Sequence, residues 1–216
     1  MDLASGLKNH RSFRLPLIWW FCVALVPFVV SQVVRLHQDN AVSWLAWDYA
    51  GRITALAILA VVPSARVAAF RRNERQISLI EIGFWIAGVL LLQRLSQWPQ
   101  RVLNAAFPST VLGVYPHPTG SLYAFDLILG LALVAVSEEI IFRQYLRAAL
   151  QPYVGDGTFA FLVTSVLFGA FHWWAGLGTV LLATMSGCLS MLMFRRSGAL
   201  WPVALAHYLA DIIAFA

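Results

Sequence analysis

Two adjacent carboxylates interrupt an apolar stretch of this 216-residue chain. Glu138 and Glu139 follow the uncharged run 127–136, and Arg143 stands four positions after Glu139. A charged side chain in hydrocarbon costs at least about 2.5–3.5 kcal/mol, so residues of this kind are usually functional. The spacing, with the acid first, predicts a helical ion pair between Glu139 and Arg143. Glu138 points about 100° away from Glu139 on an α-helix, so we expect it to have no ionic partner and to act as a base facing a cavity.

Two later apolar segments also carry ionisable residues. His172 follows Phe168 by four positions, and Asp211 follows His207 by four, so the members of each pair share a helix face. Counting about 1.5 Å per residue from the helix ends places these groups at depths similar to that of Glu138. We expect the carboxylates and histidines to surround one wet cavity, because burying each of them separately would be harder.

The elements that must position these residues are membrane helices. Of all residues, 60% are hydrophobic and only 12% are charged, against about 25% charged in soluble domains. Several apolar runs have the length of about twenty residues that crosses hydrocarbon. The composition therefore predicts an all-α, polytopic integral membrane bundle of about seven transmembrane helices. The predicted spans are 14–34, 44–64, 77–96, 122–149, 158–173, 176–194 and 199–216.

We expect one integral membrane domain over 1–216, with a motif-bearing core at about 121–216 and three N-terminal spans within 14–96. The segment 97–121 is rich in Pro and Gly, so we expect a loop or a re-entrant stretch rather than one long helix. Within the second span, Asp48 and Arg52 are four apart and are expected to pair with each other in a structural role.

The distribution of cations predicts the orientation. The net charge is +5, but Lys and Arg lie in short loops between spans rather than on one patch, so we expect a lipid bilayer and no nucleic acid as partner. The predicted inner ends carry ten cations: Lys8, Arg11, Arg14, Arg66, Arg71, Arg72, Arg75, Arg147, Arg195 and Arg196. The outer ends carry three: Arg35, Arg94 and Arg101. This asymmetry favours a cytoplasmic N-terminus, and we expect a multi-pass protein of a bacterial inner membrane.

The three motifs together resemble the signature of the CPBP family of intramembrane proteases. These motifs are Glu138-Glu139-x-x-x-Arg143, Phe168-x-x-x-His172 and His207-x-x-x-Asp211, in that order. The family includes the CAAX-prenyl endopeptidases and bacterial relatives of the bacteriocin-processing type, and it consists of glutamate-dependent hydrolases. The resemblance covers about residues 121–216.

The resemblance implies a role for each motif residue. Glu138 and His172 match the residues that activate a water. His207 and Asp211 match the pair that stabilises the oxyanion, and Glu139 with Arg143 matches a supporting ion pair. No cofactor or metal is implied. The expected substrate is a peptide or membrane protein, with or without a lipid.

One position departs from the pattern, because prenyl endopeptidases have Asn where this chain has Asp211. An ionised Asp211 would repel an oxyanion. Either it is protonated, or it orients His207 and leaves the imidazolium of His207 as the hydrogen-bond donor. We prefer the second explanation.

Two other classes of protein remain open. Two histidines and a carboxylate could ligate zinc in a membrane metalloprotease, although the chain has no HExxH motif. The buried charges could also form the binding pocket of a non-catalytic membrane protein, such as an immunity factor. Loss of activity with a zinc chelator would favour the first class, and biological function retained after Glu138→Ala would favour the second.

Overall fold

The computed structural model describes residues 16–71 and 77–215, in which every regular element is helical. The predicted all-α class is confirmed. Five of the ten cations on which the predicted orientation rests lie outside the described residues: Lys8, Arg11, Arg14, Arg72 and Arg75. The helices are α1 (Leu17–Arg35), α2 (Ala41–Val61), α3 (Pro63–Ala69), α4 (Leu79–Ala106), α5 (Gly120–Phe125), α6 (Leu131–Glu138), α7 (Leu146–Val154), α8 (Thr158–Ala170), α9 (Leu177–Ser197) and α10 (Leu200–Phe215).

Three of these helices, α1, α4 and α9, are long and apolar enough to cross a membrane. Helices α2 and α3 meet at an angle of 112° and would form a fourth span if they are counted together. Helices α8 and α10 are apolar but shorter. The count of seven transmembrane helices therefore stays a prediction, whereas several apolar helices agree with an integral membrane protein.

Local sequence signals determine where several helices begin and end. Asn40 caps α2 by accepting a hydrogen bond from the Ser43 amide at 2.8 Å. Ser78 caps α4 by accepting from the amide of Glu81 at 3.1 Å, in the Ser-x-x-Glu pattern of a capping box. Gly198 ends α9 in the left-handed conformation, with φ of 63°.

Helix α4 is longer than the predicted third span. It continues through Pro99 to Ala106, so the expectation that residues 97–121 cannot continue a long helix is wrong for residues 97–106. Pro99 removes one backbone donor, but the neighbouring residues 100–106 include good helix formers and no glycine. The irregular part is confined to residues 107–119, which contain one short 3₁₀ turn at Pro108–Thr110.

Helices α5, α6 and α7 form one continuous helical stretch that contains two π-helical segments. These segments are Asp126–Gly130 and Glu139–Tyr145. A π-helix is rare and is often found at functional sites, because its wider turn changes the direction of the side chains. The second segment begins at the second carboxylate of the Glu138–Glu139 pair.

Several cations that were predicted to lie inside gather at one end of the bundle. Asp156, in the turn between α7 and α8, forms ion pairs with Arg147 and Arg195, and Arg196 forms one with Glu81. Hydrogen bonds from Arg147 lower the pKa of the Asp156 carboxyl. The ends of α7, α9 and the start of α4 therefore lie on the same side of the molecule.

Candidate active site

The structure brings the motif residues of three helices together. Glu138 ends α6, His207 and Asp211 lie on α10, and His172 lies in the turn that follows α8. The Glu138 Oε2 atom is 3.9 Å from the Nε2 atom of His172 and 3.9 Å from that of His207. The His207 Nε2 atom is 3.5 Å from Asp211 Oδ2. These four residues are called the Glu–His cluster below.

The ring of His172 is held by the backbone of α8, the helix that precedes it. Its Nδ1 atom is 3.0 Å from the carbonyl oxygen of Phe168. A carbonyl only accepts hydrogen bonds, so Nδ1 carries the proton of this bond and the lone pair of a neutral ring is on Nε2. The ring also contacts Phe168 and Phe171 edge to face, with centroids 5.0 and 5.8 Å apart. The basic nitrogen of His172 therefore points at Glu138.

The ring of His207 is held by Glu139. The His207 Nδ1 atom lies 2.9 Å from Glu139 Oε1, and the other oxygen of Glu139 lies 3.1 Å from the Nε atom of Arg143. Arg143 is fully buried and stacks on the ring of Phe168 at 3.9 Å from its centroid. The expected pair of Glu139 and Arg143 is thus present, but Glu139 also contacts a histidine of the cluster. Sequence spacing gave no sign of this second contact.

The expectation that Glu138 has no ionic partner is wrong. The NH1 group of Arg52 lies 2.8 Å from Glu138 Oε1 and 3.2 Å from the hydroxyl of Ser137. The Nε group of the same guanidinium donates to Asp48 at 2.8 Å, so the predicted pair on α2 is present. Arg52 bridges two carboxylates and leaves Glu138 Oε2 directed toward the histidines, where it has no hydrogen-bond partner among the residues that the structure describes.

The charge network continues one residue further. Arg35, at the end of α1, pairs with the other oxygen of Asp48, and its guanidinium contacts the rings of Trp44 and Trp174, 4.2 and 4.5 Å from their centroids. We expected Arg35 at an outer helix end, but only 2% of its surface is exposed. Arg35, Asp48, Arg52 and Glu138 thus alternate in charge. The pair of Asp48 and Arg52 within a predicted span could have indicated this network from the sequence. Charged residues inside a membrane are costly, and a second such pair is therefore expected to serve the site.

Two cavities meet at the cluster. One has a volume of about 280 Å³ and is lined by Glu138, Arg52 and residues of α1. The other has a volume of about 520 Å³ and lies between α4, α9 and α10, where it is lined by Glu139. His172, His207 and Asp211 border both cavities. The cluster is therefore accessible from two sides.

Within residues 16–71 and 77–215, no group of three or more His, Cys, Asp and Glu side chains has the arrangement that could hold a metal ion. Among these described residues, the Glu–His cluster offers two carboxylate oxygens without a hydrogen-bond partner, Glu138 Oε2 and Asp211 Oδ2, and two imidazoles around a shared space. This arrangement can remove a proton from a small molecule placed between Glu138 and His172.

Comparison with known proteins agrees with the motif pattern. Residues 120–213 match the family model of the Rce1-like type II CAAX prenyl endopeptidases, which confirms the resemblance to the CPBP family. The match includes all six motif residues but none of α1–α4, so Arg52 and Asp48 lie outside it. A search of curated proteins and a search of solved structures found no significant match.

Proposed function

We propose that this chain, whose residues 120–213 belong to the Rce1-like CAAX prenyl endopeptidase family, hydrolyses peptide bonds with a water activated by Glu138 and His172. The family implies protease activity on a peptide or protein substrate at the membrane. The observation that carries the proposed mechanism is the 3.9 Å separation of Glu138 Oε2 and His172 Nε2 inside a cavity. A water placed between the two atoms can donate to both of them.

The first chemical step forms a bond between the water oxygen and the substrate carbonyl carbon. Glu138 takes the proton that the water loses, with His172 accepting the second hydrogen bond and fixing the direction of attack. The carbonyl π electrons move to the oxygen, which becomes an oxyanion. When the intermediate collapses, the C–N bond breaks and the proton held by Glu138 is transferred to the leaving amine.

His207 is the proposed donor to the oxyanion. Its Nδ1 atom is held by Glu139, and its Nε2 atom faces the space beside Glu138. The carboxylates of Glu139 and Asp211 lie on opposite sides of the ring and stabilise a positive charge on it. Removal of one hydrogen-bond donor from the oxyanion hole of a serine protease costs about 2.7–4 kcal/mol, and His207 would supply a donor of this kind.

We further propose that the chain lies in a bacterial inner membrane with the N-terminus in the cytoplasm. The support is the gathering of Arg147, Arg195 and Arg196 at one end of the bundle, which matches the end predicted from the excess of cations. The proposed substrate is a peptide that reaches the site within or beside the bilayer.

The test is Glu138→Gln in purified protein, with a mixture of quenched-fluorescence peptides, farnesylated and unmodified, as the probe. We expect cleavage to fall by about 10²–10⁴-fold while the protein inserts and purifies normally, because the amide cannot accept the proton. Glu81→Gln is the matched control, since it replaces a carboxylate by an amide in the same way, but in an exposed ion pair with Arg196.

Three results would contradict the proposal. Cleavage by the folded Glu138→Gln variant at the wild-type rate would exclude Glu138 as the general base. Loss of wild-type cleavage after dialysis against a zinc chelator, restored by zinc, would favour the metalloprotease. Wild-type protein that cleaves no peptide, together with a biological function retained by Glu138→Ala, would favour a binding protein.

A further inference from the structure

Helix α4 presents a row of four side-chain amides to the larger cavity. The residues are Gln93, Gln97, Gln100 and Asn104, and their spacing of four, three and four places them along one helix face. In a helix that crosses a membrane, a polar row of this kind normally faces a cavity or another helix. The same cavity is bordered by His172, His207 and Asp211 of the Glu–His cluster.

The two halves of the row differ in their hydrogen bonds. Gln100 donates to the hydroxyl of Thr179 at 2.9 Å, and Asn104 accepts from the amide of Gly178 at 2.7 Å. The side chains of Gln100 and Asn104 therefore connect α4 to the start of α9. Gln93 and Gln97 have no such partner among the residues that the structure describes, and both line the cavity.

The wall of the cavity opposite the row contains both polar and apolar side chains. Helix α9 contributes Thr179, Ser186 and Ser190 to the lining, and Ala183 between them is small. Helices α4 and α9 pack against each other, and the small side chains of Ala183, Ser186 and Ser190 leave a groove beside this contact. The volume of about 520 Å³ falls in the range of ligand sites, about 300–1,000 Å³.

The chemistry of the row matches a peptide main chain. A carboxamide offers both a donor and an acceptor, as a peptide group does, and an extended peptide within a membrane needs partners for both. Gln93 and Gln97 are separated by about 6 Å along the helix axis. Two residues of an extended chain span about 6.6 Å, so the two amides can reach successive peptide groups on one side of the substrate.

We propose that Gln93 and Gln97 bind the main chain of an extended, uncharged substrate segment that lies in the groove between α4 and α9 and leads to the Glu–His cluster. This inference rests on the proposed function. Because the side-chain amides would form hydrogen bonds with the main chain of the substrate, the site selects an extended substrate conformation rather than a particular substrate side chain. Helix α4 lies outside the matched family segment, so the subsite belongs to the chain's own N-terminal part.

The experiment compares Gln93→Leu, Gln97→Leu and the double variant with Ser96→Ala as the matched control. Ser96 is a polar residue of the same helix, does not line either cavity and bonds to the backbone of its own helix. The probe is the best-cleaved peptide of the mixture above and a series of its derivatives, each N-methylated at one backbone nitrogen. Leu preserves the size of Gln, so the variants are expected to fold.

We expect each Leu variant to raise KM about fivefold or more with kcat nearly unchanged, as the loss of uniform substrate binding requires. One N-methyl derivative should be cleaved at least about fivefold less efficiently by the wild type, and a Leu variant should no longer distinguish it from the parent peptide. A purely structural role would lower kcat or thermal stability and leave this discrimination intact.

The outcomes separate the two proposals. If Glu138→Gln is inactive but the Leu variants behave like Ser96→Ala, or the penalty of N-methylation persists in them, the groove does not bind the main chain. If Glu138→Gln is fully active, or the wild type cleaves no peptide, the proposed function fails and this inference falls with it.

Discussion

At the residue scale, the arginine that bonds the proposed base comes from a helix without any motif. Arg52 donates to Glu138 and Asp48 from different nitrogens of one planar group. This fork fixes which oxygen of Glu138 is directed toward the histidines. Lysine has a single ammonium and cannot reproduce the fork, so the two cations are not interchangeable here.

We predict that Arg52→Gln lowers kcat more than about tenfold and destabilises the protein by about 3–5 kcal/mol, because two buried carboxylates lose their partner. Arg52→Lys should be intermediate in both properties. The measurements are peptide cleavage and thermal unfolding in detergent. Arg196→Gln removes an exposed guanidinium that pairs with Glu81 and should leave the stability nearly unchanged, because an exposed ion pair contributes little. An Arg52→Gln variant as active and stable as wild type would show that Arg52 does not position Glu138.

The second residue-scale prediction concerns the two carboxylates beside His207. Glu139→Gln and Asp211→Asn each keep a hydrogen-bonding group but would remove a negative charge that, in the proposed mechanism, stabilises the imidazolium of His207. Activity should fall in both variants, and its alkaline limit should move to lower pH. The measurement is a pH–rate profile on one substrate. If Asp211 is instead a neutral donor to the oxyanion, Asp211→Asn will be nearly as active as wild type with an unchanged alkaline limit.

At the element scale, the close packing of α8 against α9 determines where His172 lies. A Cβ atom at Gly169 would lie against the hydroxyl of Thr184 and 2.7 Å from the carbonyl oxygen of Val180. The hydroxyl could rotate away, but the backbone carbonyl of α9 cannot. Gly169 therefore permits the approach of the two helices just before the turn that carries His172.

We predict that Gly169→Ala destabilises the protein by about 1–3 kcal/mol, as overpacking of a core does, and lowers activity by displacing His172. Gly88→Ala is the matched control, since a Cβ at Gly88 meets nothing within 4 Å and alanine favours a helix by about 0.5–1 kcal/mol. Thermal unfolding and peptide cleavage are measured for both. Equal midpoints for the two variants would show that α8 can move away from α9 at little cost.

At the scale of the whole molecule, exposed ion pairs distinguish one end of the bundle from the other. Asp156, Arg147 and Arg195 meet at one end. At the other end, the amide of Leu112 donates to the carbonyl of Trp174 at 2.9 Å, which joins the loop after α4 to the turn after α8. The cation-rich end is the one we propose to lie in the cytoplasm.

This orientation predicts the accessibility of single cysteines in a chain that also carries Cys22→Ser and Cys188→Ser. Gly157→Cys, beside Asp156, should react with a membrane-impermeant maleimide only after lysis of the cells. Asp39→Cys, between α1 and α2, should react in intact spheroplasts. The reverse pattern would contradict the proposed orientation, and equal labelling of both positions in intact spheroplasts would contradict a membrane-spanning bundle.

Composition and local spacing were enough to predict the helical membrane class and the ion pairs within a single helix, whereas the catalytic roles of the motif residues stay predictions. Glu139 with Arg143 and Asp48 with Arg52 are examples of such ion pairs, because residues four apart on a helix are neighbours whatever surrounds them. The length of an apolar run that can cross a membrane is likewise set by the thickness of the hydrocarbon layer, so it can be recognised in the sequence alone.

Only the tertiary structure decided which partners meet across helices. Arg52 and Glu138 are 86 positions apart, and Glu139 and His207 are 68 apart. Contacts of this kind depend on how helices rotate and pack against one another, and spacing along one helix contains no information about either. The π-helical turn that begins at Glu139 and the length of α4 beyond Pro99 were missed for a related reason. Packing of neighbouring helices can stabilise a backbone that local preference alone would not select.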